Sequence, residues 1–259
     1  MPRQLEDVLD YLLPRSSSLE LPAHRAGRPA SLPILTVPFP ADDVLRAALV
    51  YNLAVSLART GLQVSVVVPD SGNACDSWPD LDPQPLGLQL ILAKAQELAE
   101  IGRAALDVAV GRLPDARDGG VVLACVPSAW IFETERPARA LLRWCLLLSL
   151  PDGNSLRSCY AMAKRVCALE SGARVGVTLH GVRSLRQAAL AFERVARVAA
   201  TQLGVRLESY GLLVDDLHVY RSIAARRSVA LAHPQAPAAL ALAEVATLIG
   251  ADSRELCRV

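Results

Sequence analysis

Apolar positions in residues 4–13 recur at i, i+3, i+4, i+7 and i+8, as Leu5, Val8, Leu9, Leu12 and Leu13. Glu6, Asp7 and Asp10 lie on the other side, which predicts a short helix with one apolar face. Pro14 ends it. Residues 15–32 pass through Ser16, Ser17, Ser18, Pro22, Gly27 and Pro29 without any period and read as a tether. Beyond the tether the pattern alternates. Buried strands are predicted at residues 32–37, 64–68, 121–126, 146–150, 174–179 and 208–214. Helices are predicted at residues 42–60, 88–112, 155–169, 184–203 and 237–249, with a shorter helical piece around residues 137–143. The run Val64-Ser65-Val66-Val67-Val68 has no polar face, as expected of a strand covered on both sides in a parallel sheet. The helix over 42–60 is apolar nearly all round, and Gly61 is placed to cap it. Strands alternating with helices of this length predict a single α/β domain: a mostly parallel sheet with helices on both faces. The predicted organisation is an N-terminal helix at 1–13, a tether at 14–32, the α/β domain at 33–250 and a tail at 251–259.

Composition narrows the function classes. The chain has 259 residues, 52% apolar and 20% charged, enough for a full hydrophobic core. Its 27 basic and 26 acidic residues nearly cancel, so no global charge draws it to nucleic acid or to an anionic membrane. No apolar run approaches the roughly 18 residues of a spanning helix, since the strongest, around residues 141–150, contains Arg143. The first residues carry charges and no long apolar stretch, so the expected location is the cytoplasm. The six cysteines (Cys75, Cys125, Cys145, Cys159, Cys167, Cys257) form no CxxC pair, and reduced thiols without a metal are expected. Basic residues are nearly all arginine, with Lys94 and Lys164 the exceptions. That bias points to a GC-rich, bacterial coding sequence.

Three blocks in order resemble the MinD/ParA family of deviant P-loop ATPases. The first is Asn52-Leu53-Ala54-Val55-Ser56-Leu57-Ala58 through Gly61, followed by Val64 to Asp70. The second is Leu148-Ser149-Leu150-Pro151-Asp152-Gly153-Asn154-Ser155-Leu156 running into Tyr160 to Lys164. The third, from Arg183 to Val205 and then Tyr210 to Asp216, is similar to the flagellar-placement branch of the family. The resemblance spans residues 33–250 and implies a P-loop-NTPase-like fold. It also locates the residues that ought to hold nucleotide, and these are degenerate. The KGGVGKT-type phosphate loop falls on Ala41 to Ala48, with Ala41 at the signature lysine, Arg46 at the second lysine, and Ala47 and Ala48 at the hydroxyl positions. A phosphate cradle needs glycines so that successive N–H groups close around oxygen, together with a compact cation and a Mg²⁺ ligand. Here there is no glycine, and Asp42 and Asp43 bring negative charge to the place of a triphosphate. At 4 Å each repulsion is about 4 kcal/mol at an effective dielectric of 20. Asp42 is expected to cap the helix instead. Val68 stands where the water-positioning aspartate belongs, with Asp70 two residues on; Ala124 replaces the Mg²⁺ aspartate, and His180 the adenine-reading asparagine.

Without those groups there is nothing to transfer a phosphoryl group, so no catalytic residue, cofactor or metal is assigned. No serine has nucleophile-elbow glycines, the histidines (His24, His180, His218, His233) are scattered, and His180 is expected to be an ordinary strand-end residue. Asp215 and Asp216 are expected to cap a helix. The arginines between residues 183 and 227 are interleaved with acids and read as a solvated face. The expected function is a non-catalytic regulatory or scaffold protein. It acts on a protein partner through Leu5, Val8, Leu9 and Leu12, in the spatial organisation of a bacterial cell-surface machine or of cell polarity. No ATP-dependent homodimer and no stable membrane insertion are expected. The alternatives are an atypical ATPase using Arg46 and an unrecognised acid, and a DNA- or membrane-surface module.

Overall fold

The computed structural model describes residues 30–70, 87–135 and 139–257. The N-terminal helix with Leu5, Val8, Leu9 and Leu12, and nearly all of the tether, lie outside these residues. Leu32 is already in the core, and its N–H donates to Ala109 O at 3.0 Å, so the domain begins earlier than residue 33.

Seven strands form one parallel sheet: β1 (Ile34–Phe39), β2 (Gln63–Pro69), β3 (Leu88–Ala93), β4 (Gly120–Pro127), β5 (Trp144–Ser149), β6 (Arg174–Val182) and β7 (Glu208–Val214), in the order β3-β2-β4-β1-β5-β6-β7. The long helices are α1 (Val44–Ala58), α2 (Leu98–Gly111), α5 (Gly153–Leu169), α6 (Leu185–Leu203) and α9 (Pro237–Leu256). Short ones are α3 (Ser128–Glu133), α4 (Arg139–Leu142), α7 (Leu217–Ala224) and α8 (Val229–Ala232). Every residue of β1, β4 and β5 is buried, because helices cover both faces. Residues of α1, α8 and α9 pack in one core with Val37, Val66 and Leu123. Residues of α2, α5 and α6 pack in the other with Val67, Val122 and Val177.

The single α/β domain with a parallel sheet follows the sequence pattern, with two corrections. Residues 88–93 form β3 instead of opening a helix. They pair residue for residue with β2, from Val64↔Leu88 to Pro69↔Ala93. A lone β2 edge would leave a row of unpaired amides, and that non-local demand overrides the helical look of Leu88 to Ala93. The last helix also continues past Ile249 to Leu256, so residues 251–256 belong to the domain and not to a tail.

What carries α9 onward is a buried polar network at the amino edge of the sheet. Trp144 Nε1 donates to Tyr210 Oη at 2.8 Å, and Tyr210 Oη donates to Asp252 Oδ2 at 2.6 Å. Arg174 bridges Asp252 at 2.9 Å and Glu208 at 2.7 Å. Ser253 Oγ donates to Gly120 O at 2.8 Å. Burial, reinforced by Asp252, pushes the Tyr210 phenol well above its ordinary range, so it remains a donor.

The Tyr210 ring lies directly on the backbone of β6, where a Cβ at Gly176 would stand 2.0 Å from the ring. Gly176→Ala therefore displaces Tyr210 and breaks the network with it. The expected loss exceeds the 1–3 kcal/mol of ordinary overpacking; thermal melting checks it, and an unchanged midpoint would refute the arrangement.

Candidate functional site

In a parallel sheet a ligand crevice opens at the carboxyl ends of the strands, where the order switches direction. Here that point is β1, which lies between β4 and β5. The chain leaves β1 through only four residues, Pro40 to Asp43, before α1 begins. Asp43 N donates to Pro40 O, Val44 N to Asp42 O and Ala47 N to Asp43 O, each at 3.0 Å. No residue in this turn has a positive φ.

The cap of α1 is Asp43, correcting the expectation for Asp42. Asp43 Oδ1 accepts from Arg46 N at 2.9 Å, and Oδ2 pairs with Arg46 Nη1 at 2.9 Å. Asp42 and Ala41 are exposed, and Ala47 is buried. The amides of Asp43, Val44, Arg46 and Ala47 are thus occupied by chain carbonyls and a carboxylate. Ala124 sits three residues inside β4, opposite Thr36 and fully buried, and offers a metal no oxygen. Val68 is buried as well. These residues do not fit a Mg²⁺–triphosphate, and no chemical step is derived through one. Among the described residues no group of three or more His, Cys, Asp or Glu converges as a metal site.

His180 lies within β6, two residues before its end, opposite Leu213. The next residue, Gly181, has φ +65° and accommodates the register shift that follows. His180 is 3% exposed, and its Nε2 has no hydrogen-bond partner. Burial, then the Arg46 charge, push His180 down to about 4, with Asp43 opposing. The imidazole is therefore neutral, and the charges of Arg46 and Asp43 both act on it.

The helix cap expected of the Asp215–Asp216 pair falls on Asp216. Asp216 caps α7 by accepting from His218 N at 2.9 Å, and it also holds Ala238 N of α9 at 3.0 Å. His218 and His233, scattered in sequence, are brought together with ring centroids 4.6 Å apart. Nothing in their spacing signalled this. Asn52, the first residue of the most recognisable block, is buried inside the fold. Its Oδ1 accepts from Ser228 Oγ at 2.9 Å and Val229 N at 2.7 Å, while its Nδ2 donates to Ala48 O at 2.8 Å. That residue ties α1 to α8 and faces no crevice.

The depressed His180 value makes a pH prediction. Its folded pKa lies below the unfolded value of about 6.5, so the neutral form stabilises the fold fully above pH 6.5. That contribution is lost as pH falls from 6.5 toward 4. His180→Gln should remove about 2–3 kcal/mol of the acid-induced loss across this window. Chemical denaturation of both proteins at pH 7 and pH 4.5 checks it; parallel stability profiles would contradict it.

No protein-family model and no curated protein sequence matches the chain. Solved structures do match. The MinD cell division protein of Aquifex aeolicus is similar at 12% identity and a TM-score of 0.59, covering 84% of this chain and 96% of that one. The same organism's MinC:MinD complex gives 13% identity and a TM-score of 0.58 over 83% and 94%. A plasmid partition protein from Borrelia burgdorferi B31, bound to AMPPNP, gives 10% and 0.54 over 85% and 99%. At such identities the likeness is one of fold. With its single α/β domain and all-parallel seven-stranded sheet, the chain has the P-loop-NTPase-like fold of the MinD and ParA-type partition proteins.

Proposed function

We propose that this chain is a non-catalytic relative of the MinD/ParA ATPases, a regulatory or scaffold protein that works through protein–protein contact. Its setting is the spatial organisation of a bacterial cell-surface machine or of cell polarity. The observation that carries this reading is the Pro40–Asp43 turn. In place of a glycine cradle it presents two carboxylates, and the amides of Asp43, Val44, Arg46 and Ala47 are bonded within the chain. Phosphoryl transfer relies on positioning and charge stabilisation, and neither Ala47 nor Ala124 supplies a metal ligand.

A protein partner would find exposed apolar side chains to contact. Val44, Phe132, Leu185, Leu217 and Tyr220 are exposed, all on helices that follow a strand's carboxyl end. A MinD neighbour is seen with MinC, and a protein partner is the corresponding role here. No helix among the described residues is long and apolar enough to cross a membrane.

ATP or ADP with Mg²⁺ should leave both the melting temperature and the light-scattering mass unchanged. A ligand present at 100 times its dissociation constant adds about 2.7 kcal/mol, which would raise the midpoint by roughly 5 °C or more. Ala124→Asp alone should not create binding, because the cradle is still missing. Micromolar ATP binding by the wild-type chain would promote the atypical-ATPase reading, with Arg46 the first residue to replace.

A second prediction concerns Leu5, Val8, Leu9 and Leu12. Deleting residues 1–30 should abolish capture of the partner that co-purifies with the full chain, with the midpoint moving little. A fall of many degrees would mean that this segment packs on its own domain.

A further inference from the structure

On the face of the sheet covered by α2, α5 and α6, a half-open cleft of about 410 Å³ lies between the end of β1, the short helix α3 and the first turns of α5. Phe39, Phe132, Leu147, Ala161 and Met162 make most of its wall apolar, and Phe132 and Ala161 are exposed. An apolar groove of this kind receives one face of an amphipathic helix through side chains at i, i+3, i+4 and i+7. Leu5, Val8, Leu9 and Leu12 have that spacing.

Chain length brings the two within reach. Leu32 is anchored by its N–H to Ala109 O, in the same core layer as Leu147, Cys159 and Met162 of the cleft. From Leu32 to Pro38, which lines the cleft, the chain rises about 20 Å. Residues 14–31 join the apolar segment to that anchor. A coil of this length spans about 23 Å r.m.s. and about 60 Å fully extended. The cleft therefore lies near the distance at which a tethered segment has its highest effective concentration. Charge selects this cleft over the larger one. Helix α5 has no acid from Gly153 to Leu169 and carries Arg157, Lys164 and Arg165, which suits the Glu6, Asp7 and Asp10 side of the segment. The cavity of about 630 Å³ at the start of α2 presents Glu97, Glu133 and Glu135 against Arg103, and repels that side.

We propose that residues 4–13 dock as a helix in the cleft between α3 and α5 of their own chain, with Leu5, Val8, Leu9 and Leu12 turned to its apolar wall. The docked face is the one assigned above to a protein partner, so the cleft and the partner compete for it. That competition rests on the partner reading; the docking does not. Because the cleft overlies a core already closed by α5, docking shifts the melting midpoint far less than an integral element would.

The test uses the purified full chain with p-benzoylphenylalanine in place of Leu9, irradiated as an equal mixture of isotopically light and heavy chains and mapped by mass spectrometry. Benzophenone inserts into nearby C–H bonds, with methionine its preferred target. Adducts should fall on Phe132, Ala161 or Met162 and join residues of one chain. Ala161→Glu, at an exposed position of α5 that leaves the core untouched, should reduce them roughly fivefold or more. In the chain without the photoprobe, Leu5→Glu together with Leu12→Glu should speed hydrogen exchange of the α3 and early α5 amides about twofold or more. Circular dichroism confirms that every variant is folded. Adducts outside the cleft, adducts joining a light chain to a heavy one, or no adducts at all would overturn the proposal. So would adducts undiminished in Ala161→Glu, or exchange unchanged in the Leu5 and Leu12 variant. No partner is present in either measurement, so their failure leaves the capture prediction standing, and a failed capture leaves these results standing.

Discussion

Helix α1 has twelve consecutive buried residues, Ala47 to Ala58, enclosed by the sheet on one side and by α8 and α9 on the other. An isolated helix of this composition has no face to give to water, so it is stable only as the centre of a covered layer. Its position then dictates much else. Asn52 must find partners inside the protein, and it does so on Ser228 and Val229. Arg59 closes the far end of the helix by donating to Ala230 O at 2.7 Å. The α9 helix that covers α1 is pinned in turn by Asp252 and Ser253 at the opposite edge of the sheet.

Packing on both sides holds α1, and its N-terminus follows the end of β1 at the switch point of the sheet. A helix N-terminus leaves orphan N–H groups and a partial positive charge that something must answer. In this chain Asp43 answers both, and Arg46 balances Asp43 in turn. The turn is self-satisfied, which makes it a poor phosphate cradle. Arg46 Nε and His180 Nε2 both remain buried without a hydrogen-bond partner.

Much of the candidate site was legible because its features are local in sequence. The missing glycines, the carboxylates at 42 and 43, and the alanines at 41, 47 and 124 can be read directly, and their positions follow from the Asn52-Leu53-Ala54 block. Which of two adjacent aspartates caps the helix was not legible. That depends on where the backbone leaves its turn, and either carboxylate satisfies the capping preference. The effect of the Arg46 and Asp43 charges on His180 was hidden for a different reason. These residues lie on β6 and at the start of α1, far apart along the chain, and only the strand order brings them together.

Sequence alone determined the alternation of strands and helices, the parallel sheet buried on both faces, and the absence of glycine between Ala41 and Ala48. Those properties reside in short-range hydrophobic period and in residue identity, which need no neighbours to be expressed. Tertiary structure decided the rest. Leu88 to Ala93 became a strand because β2 presented an edge to be paired. Residues 251–256 stayed helical because Asp252 and Ser253 met Tyr210, Arg174 and Gly120 across the fold. The cleft beside Arg46 exists because β1, α3 and α5 converge there. Each of these outcomes rests on contacts between distant segments, and the free energy of such contacts outweighs the weak local propensity of the residues that make them.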